Sequence, residues 1–190
     1  MAGLPFFTQV LTQQRAAGTL FNTYTTAKTV INATELFTFP ANTLEIGSAF
    51  RVRVMGGLSN IVTTPGTVTF QIMMGSIVVW TSGAIQMSTT AHTLIPFNLE
   101  VMMRVNAIGA TTSANFLSMG MLNGIMFTVG AGADSTTVVG QFPVPATAPA
   151  AGTGFDSTIA NILDFWTGFS ISNAGNGIQV YNYNVEQLYG

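Results

Sequence analysis

The chain has 190 residues, and its charged side chains make up 6% of them, where an ordinary soluble domain carries about 25%. Hydrophobic residues reach 48% and the mean hydropathy is +0.47. An isolated copy therefore has few ions to hold its surface apart from its neighbours, and assembly is expected. The absence of cysteine excludes disulfides and thiolate metal sites, while a net charge of −2 without any basic run argues against nucleic acid, whose non-specific affinity comes from neutralised phosphates.

In chain order, the start Met1-Ala2-Gly3-Leu4-Pro5 lacks a basic region followed by an apolar core. No signal peptide is expected there, and synthesis in a cytoplasm is. Residues 4–15 read as an extended arm or a short amphipathic turn, and residues 1–19 are assigned to an N-terminal arm ahead of one β-sandwich domain over 20–190. Residues 20–31, rich in Thr and Tyr, read as a strand.

The clearest strand is Phe50-Arg51-Val52-Arg53-Val54, where apolar and charged residues alternate and point to opposite faces of a sheet. Val68, Phe70 and Ile72 share a face of the next run, and Gly75-Ser76 separates it from Ile77-Val78-Val79-Trp80, which predicts a tight hairpin. Leu99, Val101, Met103 and Val105 then alternate with Glu100, Met102 and Arg104, one half-exposed strand with an ion pair's worth of charge outside.

The uncharged stretch 105–133 contains Asn106, Thr111, Asn115 and Asn123 and lacks the roughly 20 consecutive apolar residues of a membrane helix. No membrane partner is expected. Residues 116–127 read as another β run with a turn at Asn123-Gly124. Residues 130–158 hold a Gly/Ala/Pro-rich arm or loop with Pro143, Pro145 and Pro149, longer than loops usually are. Runs at 159–172 and 178–188 flank an Asn173-Ala174-Gly175-Asn176-Gly177 turn and suggest a final hairpin, with Asn161, Leu163, Phe165, Thr167 and Phe169 on one face. About eight strands result, the pattern of an all-β antiparallel jelly-roll-like sandwich.

Chemistry is scarce. The acids Glu35, Glu45, Glu100, Asp134, Asp156, Asp164 and Glu186 are scattered singly, and His92 is the only histidine. No Gly-x-Ser-x-Gly elbow supports a triad, and Gly130-Ala131-Gly132-Ala133-Asp134 lacks the Gly-Lys-Ser/Thr of a phosphate loop. The expectation is a non-catalytic chain without cofactor or metal. Trp80 and Trp166 read as core or subunit-interface anchors, with sugar-stacking platforms built on them and Tyr24, Tyr181, Tyr183 and Tyr189 as the alternative. The methionines, Met73, Met74, Met102, Met103, Met119 and Met121 among them, read as adaptable filling for a core or interface. Met102 stands out because it sits on the charged face of its strand. Arg51, Arg53 and Arg104 face either solvent or a partner, pairing with Glu45, Glu100 or a neighbouring subunit.

The run Phe39-Pro40-Ala41-Asn42-Thr43-Leu44-Glu45-Ile46-Gly47-Ser48-Ala49-Phe50-Arg51-Val52-Arg53-Val54-Met55-Gly56-Gly57 resembles a pattern of tailed-bacteriophage structural proteins, in which Pro-Ala-Asn-Thr-Leu leads through a glycine into an Arg-x-Arg strand. The likeness continues through Thr67 to Phe70, Ile77 to Trp80 and Leu99 to Val105, and covers about residues 37–127 plus the last two runs. Ser48 stands where an acidic residue is common, and residues 130–154 have no counterpart in the pattern. The resemblance implies a jelly-roll-like fold, a homotrimer, and a place on the outside of the head as a capsid decoration (cement) protein or on a head fibre. The partner it implies is the major capsid protein, with host surface glycans as the alternative partner of a tail-fibre or head-fibre module. Contact residues expected on this reading are Leu4, Phe6, Phe7, Arg51, Arg53, Met102, Arg104, Pro143 and Pro145.

Overall fold

The computed structural model describes residues 8–128 and 140–188. Fourteen strands occur among them: β1 Thr8–Gln13, β2 Phe21–Asn22, β3 Lys28–Thr29, β4 Phe37–Phe39, β5 Ala49–Asn60, β6 Thr67–Met74, β7 Ile77–Thr81, β8 Ile85–Met87, β9 His92–Ala107, β10 Asn115–Gly124, β11 Phe127–Thr128, β12 Gly140–Val144, β13 Asn161–Phe169 and β14 Gly177–Leu188. Sheet A runs β1-β14-β5-β9-β10-β12, with β2 also on β14. Sheet B runs β11-β8-β6-β13-β3, with β4 on β13 and β7 on β6. All pairings are antiparallel, and the two sheets pack as a jelly-roll-like sandwich.

Alternation builds the core. On β5, Phe50, Val52 and Val54 are buried while Arg51 and Arg53 stay half-exposed; on β9, Leu99, Val101, Met103 and Val105 are buried against them. Across the gap, Phe70 of sheet B stacks between Phe97 of sheet A at 5.4 Å and Phe165 of its own sheet at 5.8 Å. Phe39, Phe50, Phe116 and Phe155 form a second aromatic line joined edge to face and by stacking. Phe155 belongs to the loop after β12. Within that loop Gly152 donates its N–H to the Phe116 carbonyl at 2.8 Å, and a Cβ there would meet the Val79 carbonyl oxygen at 2.1 Å. Only glycine lets the loop seat between β7 and β10 and close that side of the sandwich.

Several expectations change. The final hairpin does not form: β13 and β14 lie in different sheets, because β13 is flanked by β6 and by β3 and β4, and β14 by β1, β2 and β5. The turn between them is a crossover fastened by Asn176, fully buried, whose Oδ1 accepts from the Ile61 N–H at 3.0 Å and whose Nδ2 donates to the Pro65 and Ile171 carbonyls. Residues 20–31 are not one strand. Thr23 takes a positive φ of 57°, so the chain bends there and leaves two short pieces, β2 on sheet A and β3 on sheet B.

The expected turn at Asn123-Gly124 falls at Ile125-Met126 instead, since β10 continues through Gly124. The Gly75-Ser76 hairpin forms as expected between β6 and β7. Thr8–Gln13, within the expected N-terminal arm, is an edge strand on β14, and Gly140–Val144, within the expected loop, pairs with β10. The strands exceed the expected eight because the sheet margins are assembled from two- and three-residue pieces.

Asp164 sits on β13, with Oδ1 accepting from Thr29 Oγ1 at 2.8 Å and the Phe165 N–H at 2.7 Å, and Oδ2 from Trp166 Nε1 at 2.7 Å. Burial pushes its carboxyl above the ordinary 3.8 and outweighs these three donors, which favour the charged form. The folded chain thus keeps this proton to a higher pH than the unfolded chain. Its contribution to stability is fully present below 3.8 and is lost as pH rises through the folded-state value. Urea midpoints measured against pH are expected to fall through that window for the native chain and to lose that fall in Asp164→Asn; an unaltered profile would contradict the assignment.

Candidate interaction face

Pairing of β14, β5, β9, β10 and β12 sets side chains in rows across the outer face of sheet A. One row reads Asn184, Arg53, Glu100, Met121 and Pro143; the next Glu186, Arg51, Met102 and Met119; the third Leu188, Ala49, Arg104 and Leu117. Five of the expected contact residues, Arg51, Arg53, Met102, Arg104 and Pro143, therefore share one face. Pro145 does not join them. It lines a separate hollow of about 230 Å³ beside Trp80, Ala148 and Ala151, on the closed side of the sandwich. Leu4, Phe6 and Phe7 lie outside the described residues.

Two of the arginines are neutralised within the sheet. Arg51 binds Glu186 directly opposite on β14, and Arg53 Nε donates to Glu100 Oε2 at 2.7 Å across to β9. Each such pair on a solvent-facing sheet is worth about 0.2–1 kcal/mol and tightens neighbouring strands. Glu100 thus pairs with Arg53 on β5 rather than with its strand-mate Arg104. Among the described residues Arg104 has no ion pair, and it is exposed.

Beside it the face turns apolar. Met102 is 40% exposed, Leu117 42% and Met119 37%, and with Ala49, Arg104 and Pro149 they line a groove of about 300 Å³. An adjoining hollow of about 150 Å³, bounded by Ile46, Gly47, Asn106 and Leu117, extends it to the ends of the strands. Met55, 49% exposed, lies on the same strand as Arg51 and Arg53. A surface that cancels its charges in pairs and leaves thioethers and a leucine in water is inexpensive to desolvate, and methionine adapts to the shape of what covers it.

Among the described residues the acids do not converge on a reaction centre. Glu35 accepts from the Arg15 N–H and from Asn32, Asp156 from Thr158, and Asp164 from its three donors, each in its own neighbourhood. Glu45 is exposed, and Asp134 lies outside the described residues. His92 begins β9 opposite Asn60. Among the described residues no three His, Cys, Asp or Glu gather as metal donors.

Trp80 is buried in the core at 5% exposure, with its ring against Gly120, where a Cβ would come within 2.8 Å of it. Trp166 is half-exposed and tied to Asp164. Tyr24 and Tyr183 are buried, and burial raises both hydroxyls above their ordinary range; Tyr181 is 45% exposed, and Tyr189 lies outside the described residues.

Met73, Met74 and Met103 fill the core, whereas Met102 and Met119 face out, opposite one another on paired strands. Sequence reasoning singled out Met102 but missed Leu117, Ala49 and Pro149. The run from Phe116 to Leu122 is apolar at both parities, so its outward side cannot be read until β10 is set in register with the clearly alternating β9. Compared with protein-family models and with curated proteins, the chain matches none of either.

Met119→Lys is expected to leave the urea-unfolding free energy within about 0.5 kcal/mol of the native chain, while Met103→Lys, placing a charge at a 1% exposed site, costs more than about 4 kcal/mol. Equal losses would contradict the assignment of faces.

Proposed function

We propose that the chain is a non-catalytic virion structural protein, a capsid decoration (cement) protein of a tailed bacteriophage, which binds the major capsid protein on the outer surface of the head and acts as a homotrimer. The observation that carries this reading is the outer face of sheet A, where Arg51 and Arg53 are neutralised by Glu186 and Glu100 beside exposed Met102, Leu117 and Met119. The chain-wide scarcity of charge and the resemblance of residues 39–57 to phage structural proteins support it.

The mechanism needs no moving part. A rigid antiparallel sandwich set across a junction between shell subunits adds buried apolar area worth about 25 cal/mol per Å² that must be exposed again before the subunits separate. Binding only the closed shell shifts its equilibrium by about 2.7 kcal/mol when free protein stands at a hundred times its dissociation constant. Arg104, without an ion pair among the described residues, is the group suited to a carboxylate or carbonyl of the shell protein, since a guanidinium offers five donors and no acceptor.

A glycan-binding module of a tail or head fibre is the second reading, and it rests on exposed Tyr181 and half-exposed Trp166; Trp80 is buried and offers no platform. Heads stripped of the protein and then supplied with purified chain are expected to release DNA at a higher temperature than stripped heads alone. Met102→Lys with Met119→Lys, folded but charged on this face, is expected to restore little of that gain. Identical release temperatures with and without the native chain would overturn the cement reading.

A further inference from the structure

The turn that leads into β5 is fastened to the end of β9. Ser48 donates its N–H to the Glu45 carbonyl at 3.1 Å and closes the turn, while the Gly47 N–H donates to the Val105 carbonyl and the Val105 N–H to the Ser48 carbonyl, each at 2.9 Å. These bonds hold Glu45 and Ile46 at the same end of sheet A as Arg104. Ile46 shares the hollow of about 150 Å³ with Arg104, Asn106 and Leu117.

Two charges of opposite sign stand unused at this end. Glu100 and Glu186 pair with arginines, and Glu35, Asp156 and Asp164 accept hydrogen bonds, so Glu45 is the one acid among the described residues whose carboxylate has no partner there. It is exposed, as is Arg104, which also has no ion pair among the described residues. Arg15, the other arginine without one, lies past Gln13, toward the opposite end of sheet A. Apolar groups accompany the two charges. Ile46 is the most exposed large apolar residue described, at 66%, and Leu117 and Ile108 are 42% and 44% exposed.

We propose that this end of sheet A is the contact between copies of the chain, with Arg104 of one copy bound to Glu45 of the next and Ile46 and Leu117 covered between them. A patch that carries both members of an ion pair complements itself, so the contact repeats from copy to copy in a closed assembly without a second surface. The apolar residues supply the burial, and the charges set the orientation and reject arrangements that bring like charges together. With a net charge of −2 per chain, little repulsion opposes the approach of copies. A guanidinium has five donors, so Arg104 retains some for a shell carboxylate after binding Glu45. The row of Met102 and Met119, one step further along the strands, stays open to the shell. The inference rests on the self-association in the proposed function, and not on the identity of the shell partner.

A charge exchange tests the pair. Both sites are exposed, so Arg104→Glu, Glu45→Arg and the double variant are expected to keep the urea midpoint of the native chain. In sedimentation equilibrium at low salt, each single variant is expected to self-associate at least about tenfold more weakly than the native chain, and the double variant to recover most of that loss. A native chain that assembles while both single variants assemble equally well would overturn the proposal and leave self-association standing. A double variant no better than the singles would overturn the pairing of Arg104 with Glu45. A native chain that stays a single copy at every concentration would overturn this contact and the homotrimer together, whereas the cement reading is decided separately by the release temperature of the heads.

Discussion

The ring of Phe70 lies between those of Phe97 and Phe165, and this contact through the middle of the sandwich governs the rest of the molecule. Because Phe97 and Phe70 meet across the gap, β9 must present Leu99, Val101, Met103 and Val105 inward, and the strict alternation of a strand then places Glu100, Met102 and Arg104 outward. β5 follows from pairing: Val52 opposite Val101 puts Arg51 and Arg53 outside, next to the Glu186 and Glu100 that neutralise them. A slip of one residue in β5 would bury Arg51 and Arg53 and expose Phe50, Val52 and Val54, and one in β9 would bury Glu100 and Arg104 and expose Leu99, Val101, Met103 and Val105, which is why the register is strongly fixed. The candidate interaction face is thus the reverse side of the core.

How much of this was legible depends on the range of the information. Alternation within a segment is local, so β5 and β9 can be read from Phe50-Arg51-Val52-Arg53-Val54 and from the run Leu99 to Val105, and the β6–β7 hairpin from Gly75-Ser76. Partner choice is not local. Residues 161–169 and 177–188 look like neighbours joined by an Asn/Gly turn, yet one adds to sheet B and the other to sheet A, and buried Asn176 fastens the crossover to the Ile61–Pro65 side of the molecule through groups more than a hundred residues away. Thr- and Tyr-rich residues 20–31 have the propensity for a strand but find partners for four residues only. The same limit applied to the candidate site: Met102 was conspicuous on its own strand, whereas Leu117 and Met119 became part of the face only when β10 was laid beside β9.

The charge economy of the chain acquires a structural meaning here. With five basic and seven acidic residues, the protein spends two arginines and two glutamates on one sheet face, where they cancel, and leaves Arg104 beside an apolar groove. Repulsion between copies is correspondingly weak. Such a surface suits a protein covered by other chains, and the Arg–Glu pairs then serve to hold the outer face in shape and to discourage arbitrary docking, since a partner must leave both pairs satisfied.

The central claim, that this chain is built to be covered by other chains, is tested most directly by its mass in solution. Sedimentation equilibrium of the purified protein over a range of concentrations is predicted to give a species near three times 20.0 kDa. A single species of 20.0 kDa that persists at the highest concentration would contradict the account, because the exposed methionines and the shortage of charge would then have no partner to explain them.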